Sequence, residues 1–418
     1  MLPLACIFGS VFPAAAQDLS YARFVMKNLC SPEFSGRGYT NDEGNLSANF
    51  IRKEFQNSSI NPVVDDYFQS FGFPVISFPG AVDLSIDGIT VHAGYDFLVD
   101  AGCPKVDGTF KIWYVDSAQI DNPSAFKRLR DMKLHNYFLV VDELKGKKFL
   151  FPDKAEAVLT NAVKARGLIY ANTEKLTWEV SLNWAEYPVI RILKGVIKQH
   201  MIEMNINIES AYTLHNAKNV IGYSKGSQKP DSFIVFTAHY DHLGTIGRDA
   251  YFPGANDNAS GVAMMLDFAR SNARKPHPYS MLFIAFAGEE AGLLGSYYYV
   301  QNPVIPLSQI SMLINLDLMG TGDEGMTVVN ATEFPAEFAC LQRINNEKHY
   351  LPQVASRGKA QNSDHYYFTE AGVKSFFFYL MGDYHHYHDV DDSYEALPLS
   401  RYNDAYKLID DFITEYVK

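Results

Sequence analysis

The sequence predicts an α/β protein in which a mixed, mostly parallel sheet carries helices on both faces and is interrupted by a smaller α+β or β-rich domain. Three observations predict it. Apolar runs at 233–236, 281–286, 311–314 and 375–380 have the unbroken texture of strands buried on both faces. Between the first two, Val262, Met265, Leu266 and Ala269 fall at i, i+3, i+4 and i+7, the stripe of a helix that crosses over between parallel strands. Between roughly 82 and 212 the texture changes to short β-like runs, which marks an insertion.

The elements follow in chain order. Residues 2–12 are apolar and lead into Ala14-Ala-Ala-Gln17, which reads as a secretory peptide cut after Ala16, so the protein is expected to be exported. Cys6 is followed by apolar residues and not by a polar tether, so no lipid anchor is expected. Residues 44–56 place Leu46, Ala48, Ile51 and Phe55 near helical spacing, ended by Asn57-Ser-Ser59. The insertion has strand-like runs at 112–115 and 137–141, then a helix over 154–166 closed by Gly167. With few grouped His, Asp or Glu, it reads as a packing or lid module. At the C-terminus, Tyr402, Ala405, Leu408, Ile409 and Phe412 form a helical stripe that packs on the main sheet.

Composition narrows the function. Of 418 residues, 47% are hydrophobic and the net charge is −12, which fits a folded chain and gives no basic surface for nucleic acid. Beyond the leader no apolar stretch is long enough to span a membrane. Cys30, Cys103 and Cys340 are too few and too scattered for a disulfide framework and are expected as buried thiols.

The ionisable residues cluster where strands end. His239 follows the run at 233, Glu289 and Glu290 the run at 281, Asp317 the run at 311, and His388 the run at 375. Ligands of open α/β sheets bind beyond the carboxyl ends of the strands. Asp257 sits in the turn-rich loop Pro253-Gly-Ala-Asn-Asp-Asn-Ala-Ser-Gly261 that feeds the crossover helix and reaches the same crevice. Imidazole and carboxylate suit Zn²⁺, and also Mn²⁺ or Co²⁺. The inventory fits two co-catalytic ions bridged by Asp257, with one of the adjacent pair Glu289 and Glu290 binding metal and the other moving a proton.

Five strings, Ala238-His-Tyr-Asp-His-Leu-Gly244, Gly254-Ala-Asn-Asp-Asn-Ala-Ser-Gly261, Phe286-Ala-Gly-Glu-Glu-Ala-Gly-Leu-Leu-Gly-Ser296, Asn315-Leu-Asp-Leu-Met-Gly320 and Tyr387-His-Asp-Val-Asp-Asp392, together resemble the M28 family of dinuclear zinc aminopeptidases. The resemblance covers Ser31-Pro-Glu-Phe-Ser-Gly-Arg-Gly38 and everything from about residue 213. It implies a phosphorylase/hydrolase-like zinc exopeptidase fold over 17–81 and 213–418, with 82–212 inserted. Within the insertion, residues 149–192 are similar to the protease-associated domain of some relatives, without several of that module's glycines.

The resemblance further implies that His239, Asp257 and Asp317 hold one zinc, and that Asp257, Glu290 and His388 hold a second. Glu289 would be the general base. Asp241 would be the carboxylate that orients a ligating imidazole, and Tyr387 a donor to the oxyanion. The Asp257–Asn258 peptide would be cis, Asp364 and His365 would shape the pocket rim, and His242 would be structural or a rim group. His385 and His386 read as a polar loop, and Asn256, Asn258 and Gly261 as loop-shaping residues. The expected activity is removal of N-terminal residues from peptides with a free N-terminus. Alternatives of the same fold are a single-zinc glutaminyl cyclase, a binding protein without metal, and a carboxypeptidase gripping its substrate with Arg357 or Arg248.

Overall fold

The computed structural model describes residues 19–40, 43–198, 200–248, 250–273 and 275–418. The expected leader and Cys6 lie outside the described residues. Among those described, nine strands form the larger sheet. Its centre is a parallel set: Tyr279–Phe286 beside Lys229–His239, then Ile310–Leu316, then Ser375–Met381. On one side Gly325–Val329 joins antiparallel and carries Val354–Arg357 at the edge. On the other, the long antiparallel strand Ala211–Ser224 pairs with Tyr279–Phe286 and, along its length, with Phe68–Ser77.

All four apolar runs are therefore strands of one sheet, and side-chain alternation divides them between two helical layers. Ile234, Phe236 and Ala238 enter a core shared with helices Leu19–Leu29, Glu43–Asn57, Ser260–Asn272, Pro335–Lys348 and Tyr402–Tyr416. Phe233 and Val235 enter the opposite core with Tyr299 and Phe368, from helices Leu294–Gln301 and His365–Glu370. The crossover helix Ser260–Asn272 is buried from Ser260 through Ala269, more completely than a single stripe requires. On Glu43–Asn57 the stripe holds for Ala48, Ile51 and Phe55, whereas Leu46 remains exposed.

A second sheet of eight strands runs Ile89–Val91, Val82–Ile86, Glu203–Ile208, Val106–Tyr114, Tyr137–Val140, Gly167–Thr173, Val189–Leu193, Phe97–Val99. One of its faces shares a core with Leu243, Ile246, Ala250 and Phe252, which belong to the loops after His239. The two sheets thus meet beside the strand end that carries the first candidate ligand.

Two local expectations are corrected. The helix expected over 154–166 is Pro152–Leu159. It stops because Asn161 turns left-handed at φ 54° and its amide bonds both the N–H and the C=O of Ala165. Gly167 is no cap: it opens a strand where a Cβ would lie 2.4 Å from the Phe138 ring. Cys30 and Cys103 are buried thiols as expected, but Cys340 is only half-buried, on an outward turn of Pro335–Lys348 beside Arg343.

Candidate metal centre

Every strand of the parallel set delivers chemistry at its carboxyl end. His239 is the last residue of Lys229–His239, Asp317 follows Ile310–Leu316, and Glu289 and Glu290 follow Tyr279–Phe286. His388 stands in the loop after Ser375–Met381. Asp257 comes from the tight turn Ala255–Ala259 that opens the crossover helix, and its peptide bond to Asn258 is cis.

These side chains converge. His239 Nε2 lies 3.3 Å from Asp257 Oδ1 and 3.4 Å from Asp317 Oδ2. His388 Nε2 lies 3.2 Å from the other oxygen of Asp257 and 3.2 Å from Glu290 Oε2. Glu289 offers an oxygen within 4.8 Å of the ligand atoms of His239 and Asp317.

The donor set fits zinc. Two ligands on one tetrahedral Zn²⁺, each at 2.0–2.2 Å, stand roughly 3.4 Å apart. The imidazole–carboxylate spacings here match that and lie at or beyond the long end of the N–H···O range. Two buried atoms of these side chains, Asp317 Oδ1 and His388 Nε2, have no hydrogen-bond partner. Asp241, Asp257, Glu289, Glu290 and Asp317 put five carboxylates in one nearly dry crevice, an arrangement that calls for cations.

The titration behaviour has the same cause. Burial opposes a charge on His239, but Asp317, Glu289 and Asp257 override it and raise the imidazole well above its ordinary value. Burial likewise opposes charge on His388, yet Glu290 and Asp257 raise it to about 11. The two adjacent glutamates separate. Burial, reinforced by Glu290, Asp364 and Asp317 against the pull of His239, pushes Glu289 well up. Burial and Asp257 oppose ionisation of Glu290, but His388 and His242 bring it down to about 2. Neighbouring carboxylates driven apart in this way are suited to different tasks.

The surrounding shell is built largely from main-chain contacts. Asp241 accepts the N–H of Glu289 and of Glu290, each at 3.2 Å, and the Tyr39 hydroxyl donates to it as well. Its expected contact with the imidazole is accordingly different: His239 Nδ1 is 3.2 Å from the Asp241 carbonyl and 3.8 Å from the carboxylate, whose oxygens are engaged by these three donors. Asp317 is held by Ser363 Oγ at 3.0 Å, itself fixed by Asn315 and, behind it, Thr237. The Asp257 turn rests on Asp392, which accepts the N–H groups of Asn256 and Asp257. Arg37, fully buried, donates to the carbonyls of Leu29, Tyr240, Pro253 and Gly254.

Tyr387 is 48% exposed and its ring stacks on His388 at 3.9 Å between centroids. His242 is not at the rim: it is fully buried, with Nδ1 2.7 Å from Glu290 Oε1. Asp364 and His365 are not rim residues either, since both are fully buried. Burial keeps the His365 imidazole neutral by lowering it to about 3. Asn258 shapes its loop as expected, bonding Leu316 O and Gly261 N, and Asn256 accepts Gly320 N–H. Arg357 reaches the Tyr379 hydroxyl, and Arg248 lines a separate cavity of about 380 Å³ at the edge of the second sheet. Arg37, Tyr39, Ser363, Asp392 and Trp178 escaped the sequence reading of the site, although Arg37 and Asp392 stand inside strings that carried the resemblance.

Fold and cluster together define an α/β protein with a candidate metal centre at the carboxyl edge of its sheet. Residues 219–413 match the model of peptidase family M28. Aminopeptidase YwaD of Bacillus subtilis (strain 168) is 32% identical over 285 residues, 63% of this chain and 59% of YwaD. The chain therefore spans about three fifths of that relative's length. Among solved structures, BSAP, a zinc aminopeptidase from Bacillus subtilis, is similar with a TM-score of 0.70 at 23% identity, over 96% of each chain. Porphyromonas gingivalis glutaminyl cyclase is similar with a TM-score of 0.52 at 11% identity, over 97% of this chain and 100% of that one. At these identities the structural likeness is one of fold.

Proposed function

We propose that this protein is an exported aminopeptidase that uses two zinc ions to hydrolyse N-terminal residues from peptides. His239, Asp257 and Asp317 would hold one ion, and Asp257, Glu290 and His388 the other. The observation that carries the reading is Asp257, which presents one carboxylate oxygen to each imidazole, Oδ1 to His239 and Oδ2 to His388. That is what a carboxylate bridging two ions requires. The naming of YwaD as an aminopeptidase and of BSAP as a zinc aminopeptidase supports the same activity here.

Zinc bound at this centre supplies Lewis acidity, toward the scissile carbonyl and toward water. The chain's own groups do the rest. Glu289, raised well above an ordinary carboxylate and not needed as a ligand, takes the proton of the attacking water and delivers it to the departing amine. Tyr387, its ring stacked on His388, donates to the carbonyl oxygen as negative charge develops there. The carboxylates anchor the substrate's free α-amine. Residues 17–81 and 213–418 form the peptidase domain and 82–212 a protease-associated-like insertion. The leader ending at Ala16 supports export. The acidic chain takes peptides, not nucleic acid, and no helix among the described residues is long and apolar enough to cross a membrane.

The glutaminyl cyclase reading rests on fold likeness. A full second set of ligands in His388, Glu290 and Asp257 argues against a one-zinc centre. The test is zinc stoichiometry together with products from an unblocked dipeptide and from a peptide beginning with glutamine. Two zincs and free amino acid are expected; one zinc and pyroglutamate would overturn the proposal.

A further inference from the structure

We infer that the strap after strand Gly167–Thr173 of the second sheet positions His388 for the second ion, through Lys175 and the main chain of Trp178. The inference rests on the proposed two-ion centre and adds the inserted sheet to it as a working part.

His388 is a difficult residue to hold. Its backbone is left-handed at φ 54°, a conformation that a non-glycine residue keeps only when its surroundings impose it. Its loop, between Ser375–Met381 and Tyr402–Tyr416, has no regular secondary structure. The surroundings that impose it come from the strap. Trp178 N–H donates to the His388 carbonyl at 2.9 Å, and the Trp178 carbonyl lies 2.9 Å from His388 Nδ1. A carbonyl only accepts, so Nδ1 carries the proton and Nε2 is directed at Asp257 and Glu290. Outer hydrogen bonds of this kind set the tautomer and ring orientation of metal-binding histidines.

Lys175 secures the same loop from its other side. Its ammonium pairs with Asp389 Oδ2 at 2.9 Å and donates to the carbonyls of His385 and Tyr387, so it binds the residues on both sides of His388. His386 Nδ1, 3.3 Å from Asp389 Oδ1, completes the knot. The cluster of His386, Asp389 and Asp391 therefore already holds a cation, the lysine, and is a clamp, not a further metal site. The strap is itself anchored. The Trp178 indole donates to Val99 O at 2.9 Å and stacks on Phe252 at 5.1 Å, between the second sheet and the loops after His239. Three donor contacts and one ion pair thus converge on the five residues 385–389, among them the proposed ligand His388. Lys175 is a positioning residue, since it touches neither ion nor substrate.

The test compares the full-length chain with Lys175→Met and Lys175→Arg. The Lys175 side chain is 43% exposed, so neither change opens a cavity. Zinc affinity is read for each ion by chelator competition, and Co²⁺ replacing the weaker-held ion gives an absorption spectrum of its ligand field. In Lys175→Met one zinc is expected to bind ~10–100-fold more weakly, with an altered Co²⁺ spectrum and a rate restored by excess zinc. The other ion should keep its affinity, and Lys175→Arg should recover most of the loss. Unchanged affinities and an unchanged spectrum in Lys175→Met, with the unmodified chain binding two zincs, would overturn this inference alone. An unmodified chain that binds fewer than two zincs would overturn the two-ion reading and the inference with it.

Discussion

Asp392 accepts the backbone N–H of Asp257 at 3.1 Å from Oδ2, and so one buried carboxylate sets the turn from which another, 135 residues earlier, reaches the cluster. Asp392 also accepts Asn256 N–H and the Tyr384 hydroxyl. In Asp392→Ala these donors lose their acceptor, each at a cost of ~1–3 kcal/mol if buried. A fall in Tm and loss of zinc are expected together, measured by calorimetry and metal analysis. Asp392→Asn should keep part of both, because one carbonyl oxygen remains to accept.

Glu289→Gln is expected to retain both zincs while kcat falls by ~10²–10⁴, the usual worth of a positioned proton-transfer group. Asp257→Ala should instead lose metal, because each ion loses a ligand. Metal analysis beside steady-state rates separates the two effects. A near-normal rate in Glu289→Gln would refute the proton-shuttle role.

His388 and His242 both touch Glu290, on different oxygens. His388→Ala should remove one zinc from the stoichiometry. His242 fills a Glu290 oxygen with an ordinary hydrogen bond, so His242→Ala should keep two zincs with affinity weakened ~10–100-fold. The opposite pattern would exchange their roles.

Zinc that binds the folded chain and not the unfolded one stabilises the fold by RT ln(1 + [L]/Kd), ~2.7 kcal/mol at a hundredfold excess over Kd. Chelator should therefore lower Tm and added zinc restore it. In Asp257→Ala the zinc-dependent shift should shrink or vanish, which a thermal melt with and without metal reads directly.

What was legible in the sequence is what a residue's own chemistry announces. Strands such as 281–286 show themselves because burial on both faces leaves no polar alternation, and His239, Glu290, Asp317 and His388 stand out because ionisable groups at the ends of such strands need a reason. Groups whose partners are distant main-chain atoms were not legible. Arg37 meets the carbonyl of Tyr240, and His388 that of Trp178, over separations of 203 and 210 residues. Every residue type carries the same carbonyl, so no pattern marks those contacts. The helix over Pro152–Leu159 was overextended for a local reason: Asn161 adopts a left-handed turn that apolar periodicity does not register. The resemblance leaves His242 as structural or at the rim and puts Asp364 and His365 at the rim, because a motif marks nearness to a pocket and not depth; all three are fully buried.

The buried guanidinium of Arg37 means that the stretch matching the family is not a separable unit. Excised at 219 and 413, it would leave the oxygens of Tyr240, Pro253 and Gly254 without their donor, and would sever Ala211–Ser224 from Phe68–Ser77. Grafting, circular permutation or truncation of this protein must carry the segment around Arg37 along, because it is the keystone of an arch whose stones lie two hundred residues downstream.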